Sequence, residues 1–194
     1  MKIVFATSNR GKLREAAEIL GDGFELISPA DLGITEDIPE TGDTLQANSL
    51  QKALYIYKKC GCDCFADDTG LEVDALGGAP GVHSARYATD GHDFEANIDK
   101  LLNELSKCPD KARTARFRCV VTLIYKGETH FFEGRVDGQI AFSRQGTEGF
   151  GYDPVFLPDG LEGKSFAELH EEKNRLSHRG QSLRALAAWL KAHK

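Results

Sequence analysis

The N-terminal third of the chain alternates short apolar runs with helical spacing. Residues 2–6 form a short β-branched and aromatic run that predicts a buried strand. Apolar residues then recur at helical spacing over 12–21, and residues 24–27 predict a second strand. After a polar, proline-containing connection, Asp43 or Thr44 is placed to cap a helix that extends to the cysteine-rich segment.

Strands and one helix are also predicted in the middle of the chain. Residues 64–67 and 71–76 are short strand candidates, separated by a turn-like Asp-Asp-Thr-Gly sequence. Four glycines and no clear period over 77–93 predict a loop, and apolar spacing over 94–105 predicts an amphipathic helix.

Two long strand-like runs follow, over residues 114–126 and 129–142, and Gly127-Glu128 between them predicts a hairpin turn. Ser165 and Glu168 have the spacing of a capping box. A last helix buries its apolar face over 183–190. Helices and strands therefore mix, which predicts an α/β protein with a mixed sheet, in which the hairpin forms the spine or a second lobe.

Length and charge narrow the function classes. The 194 residues contain no repeat and no dividing linker, so we predict one domain over 1–194. Lys plus Arg is 24 and Asp plus Glu is 30, which gives a net charge of −6. Such a chain lacks the positive field that coats a nucleic-acid backbone, so we expect no nucleic-acid partner. An anionic ligand would need a few placed cations or a metal.

Membrane attachment and export are not expected. No segment approaches the roughly 20 apolar residues of a membrane span, and the N-terminal apolar run is too short for a signal peptide. Cys60, Cys62 and Cys64 alternate, which is not the spacing of a zinc knuckle. We therefore expect free thiols in a reducing cytoplasm, with a metal or redox role as the less favoured alternative.

A strand–turn–helix junction at residues 7–12 favours phosphate binding. Helix N-termini offer N–H groups and the positive end of the helix dipole, and the hydroxyls and Lys12 add further donors. The P-loop pattern is absent, and a well-capped turn without a ligand is the alternative. The candidate phosphate ligands are Thr7, Ser8, Asn9, Arg10, Gly11 and Lys12.

Asp67 and Asp68 are the candidate acids. Adjacent carboxylates on an extended segment point to opposite sides, so we expect different roles, one ligating a divalent cation and one orienting a water or a side chain. Glu40 would supply a further oxygen. Mg²⁺ takes one or two carboxylates together with substrate phosphates and waters, so this set suffices if it converges. A turn with solvated acids is the alternative.

The glycine-rich segment 146–154 is not a dinucleotide fingerprint, because a proline occupies the third glycine position. Glycines that flank Phe150 would let the backbone approach a flat ligand while the ring stacks on it; a core phenylalanine in a turn is the alternative. Lys173, His178 and Arg179 favour an anion or base contact. Together, a phosphate end, a metal and a flat-ring pocket make up a nucleoside triphosphate site.

Five segments, found in order along nearly the whole chain, resemble the inosine triphosphate pyrophosphatase family, whose bacterial members are dITP/XTP pyrophosphatases. They are Thr7-Ser8-Asn9 with Lys12, Asp67-Asp68-Thr69-Gly70-Leu71, 78–81 with 84–87, 149–154, and Ser177-His178-Arg179. Each motif is weak alone, but five in register are highly specific.

The resemblance implies a Mg²⁺-dependent hydrolase that converts ITP, dITP and XTP to monophosphate and pyrophosphate and so keeps them out of DNA and RNA. It also implies a homodimer and an elongated mixed sheet with a cleft between two lobes. By position, 7–12 hold the phosphates, Asp68 is the base or metal-linked acid and Thr69 touches substrate. The remaining implied contacts are Phe150, Gly151, Tyr152 and Asp153 at the base and sugar, Lys173, His178 and Arg179 on the substrate, and Glu40 as a further metal ligand. Asp67 stays a candidate metal ligand from the acid pair.

The residues also suggest how the base is selected and which three rival functions stay open. Arg179 only donates hydrogen bonds, so it suits a 6-oxo purine and leaves adenine unmatched. The rivals are a related enzyme acting on other nucleotides, such as modified pyrimidines, and a nucleotide sensor that releases no pyrophosphate. A purely structural module is the least favoured, because it has no need of these charged residues together.

Overall fold

The computed structural model describes residues 1–193, with the backbone alone at His170 and Glu171. Lys194, the last residue of the predicted domain, lies outside the described residues. The strands are β1 (Lys2–Phe5), β2 (Glu25–Ile27), β3 (Cys64–Val73), β4 (Pro80–Gly81), β5 (Thr114–Tyr125), β6 (Glu128–Ile140) and β7 (Phe156–Pro158). The α-helices are α1 (Arg10–Leu20), α2 (Leu45–Cys60), α3 (Phe94–Ser106), α4 (His170–Leu176) and α5 (His178–Ala192).

Most predicted elements are present, and the local signals explain their ends. Thr44 caps α2, since its hydroxyl oxygen accepts from the Ala47 amide at 3.0 Å. The capping box of Ser165 and Glu168 is formed, although it begins a single 3₁₀ turn. The hairpin turn between β5 and β6 is Lys126-Gly127, one residue earlier than predicted, and both residues have positive φ, as a two-residue hairpin turn requires.

The prediction of two short strands separated by a turn at Asp-Asp-Thr-Gly is wrong. β3 runs without a break from Cys64 to Val73, so Asp67 and Asp68 lie inside a strand and not at its end. The physical reason is that lysine and arginine side chains pair with both carboxylates. Paired acids do not require the exposure that a turn would give them.

The chain divides into two compact units, and it passes from one to the other within β3, β5 and β6. Unit 1 is Met1–Asp68, Cys119–Gly134 and His178–Lys194, and unit 2 is Thr69–Arg118 and Arg135–Ser177. Because three strands belong to both units, the strand order is given below for each unit separately.

Unit 1 is a sheet covered by helices on both faces. Its strand order is β2-β1-β3-β5-β6, and β1 is parallel to both β2 and β3. Along β1, Ile3 and Phe5 pack in one cluster with residues of α1 and α5, while Val4 and Ala6 pack in another with residues of α2. Alternate side chains of one strand thus enter two cores, as a sheet buried on both faces requires.

In unit 2 the described residues form a hydrophobic core on one face of the sheet. In it β3, β5, β6 and β7 are neighbours in that order, and both β4 on β3 and β7 on β6 are antiparallel. The core joins alternate residues of β3 and β5, such as Leu71 and Phe117, to the apolar face of α3. Intervening residues carry charge: Arg116 and Arg118 both pair with Glu72.

The predicted fold class, α/β with a mixed sheet flanked by helices, is confirmed. None of the helices within residues 1–193 has the length and apolar character needed to cross a bilayer.

Candidate active site

The junction between β1 and α1 in unit 1 has the predicted form. The Thr7 hydroxyl oxygen accepts from the Asn9 amide at 3.1 Å, and the Asn9 side-chain oxygen accepts from the Lys12 amide, also at 3.1 Å. Asn9 is therefore the N-cap of α1, which begins at Arg10, two residues before the predicted start. The first turn of α1 contains no acidic residue, which keeps the positive end of the helix dipole unopposed there.

Asp67 lies at the centre of a buried ionic cluster in unit 1. Its Oδ1 accepts from Lys12 Nζ at 2.9 Å, and its Oδ2 accepts from Arg179 Nε at 3.2 Å. Arg179 also donates through Nη1 to the carboxylate of Glu15 on α1. Burial alone would raise the pKa of Asp67, but Lys12 and Arg179 outweigh it and hold that pKa well below its usual range. The cluster therefore fixes the ammonium of Lys12 at the start of α1.

Asp68 belongs to a different group in unit 1. Lys52 on α2 donates to Glu40 Oε1 at 2.5 Å and to Asp68 Oδ1 at 3.3 Å. The two adjacent acids thus take different partners, and that they also take different roles stays a prediction. Burial raises the pKa of Asp68, and Lys52 opposes that effect without cancelling it. Among the residues that the structure describes, none donates to the buried Asp68 Oδ2, so this oxygen can accept a proton or a cation.

Glu40 is brought to Lys52 by a tight loop ahead of α2. The Gly42 amide donates to the side-chain oxygen of Asn48 at 2.7 Å. A Cβ at Gly42 would lie 2.7 Å from the Cβ of Ala47, so this approach to α2 requires glycine. Burial would raise the pKa of Glu40, but Lys52 lowers it below its usual value, and the side chain is therefore a carboxylate.

Glu40 and Asp68 fit a hard divalent cation better than Asp67 does. Carboxylate oxygens are the ligands that Mg²⁺ prefers, and it needs only one or two from the protein. The unpartnered Oδ2 of Asp68 is such an oxygen, whereas both oxygens of Asp67 already accept from cations. Among the side chains that the structure describes, no three or more His, Cys, Asp or Glu converge as a complete metal cage. Waters and substrate oxygens would therefore have to complete the coordination.

A second polar cluster lies in unit 2, at residues 149–153. Asp153 Oδ2 accepts from the Phe150 amide at 2.9 Å and from Lys173 Nζ at 2.7 Å. The same Nζ lies 5.0 Å from the centre of the half-buried Phe150 ring. Gly149 has a φ of +79°, and a Cβ there would lie 2.1 Å from Asp153 Oδ2. The turn thus holds an aromatic ring beside an ammonium, an arrangement suited to a flat, electron-rich ligand.

Three of the predicted contacts in unit 2 take different positions from Phe150. Tyr152 is buried in the core, where its hydroxyl donates to the Ser84 carbonyl at 2.8 Å, and burial raises its pKa. It therefore anchors the segment at Ser84. Thr69 is half-buried on β3, one residue after Asp68, and Gly151 has open space at the position of a Cβ.

The sequence grouped Lys173 with His178 and Arg179, but the structure places them in different units. Lys173 lies on α4 of unit 2, and the other two begin α5 of unit 1. Within unit 1, a Cβ at Gly134 of β6 would lie 1.9 Å from the carbonyl oxygen of His178, so the start of α5 packs directly on that strand. His178 and Arg179 are both almost fully buried.

Sequence reasoning missed Lys52 and Glu15. A signal for Lys52 was present, because it shares a helical stripe with Ser49, Ala53 and Ile56, all of which are buried. A lysine on the buried stripe of an amphipathic helix needs a carboxylate partner. Glu15 follows Lys12 by three residues on α1, and its pairing with a residue so distant in sequence left no local signal.

Comparison with known proteins shows the family to which the chain belongs. Residues 3–189 match the Ham1 family. A dITP/XTP pyrophosphatase of Christiangramia forsetii is 52% identical over 98% of this chain and 99% of its own length. The dITP/XTP pyrophosphatase of Bacillus subtilis is 45% identical over 97% and 96%, respectively.

Solved structures agree with this assignment. The Staphylococcus aureus Ham1 protein has a TM-score of 0.87 and 40% identity, with all of both chains covered. A HAM1 protein from Coxiella burnetii has a TM-score of 0.89 and 38% identity, covering 99% of each chain. The chain belongs to the Ham1 family, and the resemblance inferred from its five motifs is confirmed.

Proposed function

We propose that this protein hydrolyses ITP, dITP and XTP to the monophosphate and pyrophosphate, and thereby removes non-standard purine nucleotides from the pool used for DNA and RNA synthesis. Its similarity to dITP/XTP pyrophosphatases over nearly the whole chain supports the reaction class. The observation that carries the mechanism is the buried oxygen of Asp68, unpartnered beside Lys52.

Asp68 is assigned to the attacking water. The water oxygen bonds to the α-phosphorus, the bond from that phosphorus to the bridging oxygen breaks, and pyrophosphate leaves. The proton of the water goes to Asp68 Oδ2. A carboxyl whose pKa is raised by burial is a stronger base than an exposed one, which suits this role. Lys52 holds the other oxygen and so fixes the direction of Oδ2.

The triphosphate is assigned to residues 7–12. The first turn of α1 offers backbone N–H groups, and Lys12, held by Asp67, adds a fixed positive charge. Fixed cations stabilise the charge that grows on a leaving pyrophosphate. Thr7 and Asn9 already use side-chain oxygens to shape the turn, so their role is positioning as much as contact.

Glu40 is the residue assigned to hold Mg²⁺, because Asp68 Oδ1 pairs with Lys52 and Asp68 Oδ2 takes the proton of the attacking water. When bound, the ion would neutralise phosphate charge and orient the substrate. Asp67 is not included, because Lys12 and Arg179 occupy its carboxylate.

We further propose that the protein is a homodimer and acts in the cytoplasm.

The base and sugar are assigned to the cluster in unit 2. Phe150 provides a ring for stacking, and Asp153 and Lys173 provide an acceptor and a donor beside it. Tyr152 supports this turn from the core, and Thr69, Gly151 and His178 remain candidates for substrate contact.

The experiment is pyrophosphate release from ITP, XTP, GTP and ATP, each with Mg²⁺ and with EDTA. We expect release from ITP and XTP, one pyrophosphate for each monophosphate, and loss of release in EDTA. Release of orthophosphate instead would overturn the site of cleavage, and binding of ITP without release would favour a sensor. Equal rates for all four nucleotides would support the assignment as a pyrophosphatase and refute its selectivity for non-standard purines.

A matched pair of variants separates the two acids. With Glu40→Gln, we expect the Mg²⁺ concentration for half-maximal rate to rise and excess Mg²⁺ to restore most of the activity. With Asp68→Asn, excess Mg²⁺ should restore none of it, because the proton acceptor is gone. The same Mg²⁺ response from both variants would contradict the division of roles.

A further inference from the structure

Two cysteines meet at the end of α2, in unit 1. The helix ends at Cys60, and Gly61 follows in the left-handed conformation, with φ 63° and ψ 15°. Its amide donates to the Tyr57 carbonyl at 2.8 Å, which closes the last turn. The chain therefore folds back sharply between Cys60 and Cys62.

This turn brings the second thiol onto the first cysteine. Cys62 Sγ donates to the Cys60 carbonyl oxygen at 3.3 Å. The neighbouring Cys60 side chain raises the pKa of the Cys62 thiol. Cys62 is exposed and Cys60 is partly exposed, which leaves the pair open to small molecules.

The spacing of the backbone suits a covalent bond between them. Residues two apart in a chain are separated by at most about 7 Å between Cα atoms, and a sharp turn shortens that distance. Disulfides span Cα separations of roughly 4.4–6.8 Å. A glycine between the cysteines gives the linking backbone the freedom to adjust.

The surroundings of Cys64, the third cysteine of the alternating series, keep it from forming a disulfide with the other two. Cys64 is fully buried in the core beside α2, and its thiol donates to the Ala53 carbonyl at 3.4 Å. Burial raises the pKa of the Cys64 thiol to about 12. Cys60 and Cys62 thus form a pair, and Cys64 is a core residue.

We infer that Cys60 and Cys62 are a modification site, at which an external low-molecular-weight disulfide such as oxidised glutathione converts the pair into an intramolecular disulfide. This inference is independent of the proposed nucleotide chemistry. The five cysteines are free thiols in the structure, as expected, and the inference develops the redox alternative for two of them.

The reaction is two successive thiol–disulfide exchanges. The Cys62 thiolate attacks one sulfur of oxidised glutathione, forms a mixed disulfide and releases one glutathione thiolate. The Cys60 thiolate then attacks Cys62 Sγ, and the second glutathione thiolate leaves. The two cysteines lose two protons and two electrons, and one oxidised glutathione becomes two reduced molecules. The rate should rise from about pH 7 to about pH 9, as more thiolate forms.

The test uses the full-length protein, incubated with oxidised glutathione, alkylated under denaturing conditions and digested with a protease that cleaves before aspartate. Cleavage before Asp43 and Asp63 gives fragment 43–62, which contains Cys60 and Cys62 and no other cysteine. We expect this fragment to lose two hydrogen atoms in mass and to resist alkylation. Free thiols per chain should fall from five to three, since 5 − 2 = 3.

Variants make the outcome specific. Cys60→Ser should leave a lasting glutathione adduct on Cys62, and the matched control Cys108→Ser should form the disulfide as the wild type does. Melting temperatures establish that each variant is folded. Complete alkylation of the fragment, or a lasting glutathione adduct on wild-type Cys62, would overturn the inference.

Discussion

The turn at Gly149 allows a sharp test of the cluster in unit 2. Gly149 and Gly151 both have positive φ, +79° and +64°. A Cβ at Gly149 would lie 2.1 Å from Asp153 Oδ2 and 3.0 Å from its Cγ, whereas a Cβ at Gly151 would have nothing within 4 Å. The two alanine variants therefore share backbone strain, and they differ in whether Asp153 must move.

The expected energies follow from these contacts. An alanine in the left-handed region costs roughly 1–2 kcal/mol, and both variants should lose about that much stability. Asp153 is buried, and its Oδ2 accepts from the Phe150 amide and from Lys173. Displacing it weakens hydrogen bonds to a charged group, each worth about 1.5–3 kcal/mol. Gly149→Ala should thus lose at least that much more than Gly151→Ala.

The assays are urea unfolding and steady-state hydrolysis of ITP. If the turn binds the base, the displacement of Asp153 in Gly149→Ala should also weaken the binding of ITP. We expect KM to rise about tenfold or more, since about 1.4 kcal/mol of lost binding free energy corresponds to a factor of ten. kcat should change less, because Asp68 lies outside this turn. Equal unfolding free energies and equal KM values in the two variants would refute the reasoning.

Three further predictions concern unit 1. Arg179→Met should cost about 3–5 kcal/mol in unfolding free energy, because Asp67 and Glu15 lose a buried partner. The ratio of the ITP rate to the ATP rate should stay unchanged. A lower ratio would show that Arg179 takes part in selecting the base. The pKa of Asp67 is lower in the folded protein than its unfolded-state value of about 3.9. The Asp67 carboxylate therefore stabilises the fold above about pH 3.9, and this contribution is lost as the pH falls toward the pKa of the folded state. The urea midpoint of the wild type should therefore fall between about pH 5 and pH 3, and that of Asp67→Asn should fall less; parallel curves would contradict this. Lys52→Met should likewise cost about 3–5 kcal/mol by unpairing Glu40 and Asp68, and a loss below 1 kcal/mol would show that their pairing with Lys52 matters little.

Local patterns were sufficient to predict most of the fold. A short β-branched and aromatic run identified β1, helical spacing identified α1, and cap residues such as Thr44 marked helix starts. β3 was not predicted as one strand, because its partners are distant in sequence: Asp67 pairs with Lys12 and with Arg179. Ion pairs across such separations leave no mark on local hydropathy.

The candidate site was predicted in composition better than in arrangement. The motifs named Lys12, Asp68 and Lys173 without showing which residues pair. Arg179 illustrates the difference: as a donor it suited an oxo base, yet the fold places its guanidinium between two carboxylates in a buried cluster. Pairings of this kind depend on tertiary packing and are accessible only from the structure.

The assignment of Asp68 is tested most directly by the turnover number of Asp68→Asn for ITP with saturating Mg²⁺, measured beside ITP binding to the same protein. Asparagine keeps an oxygen for Lys52 and removes the proton acceptor. We expect near wild-type binding and a fall in kcat of about 10²–10⁴-fold, the usual contribution of a general base. A kcat within threefold of the wild-type value would contradict the mechanism proposed for this site.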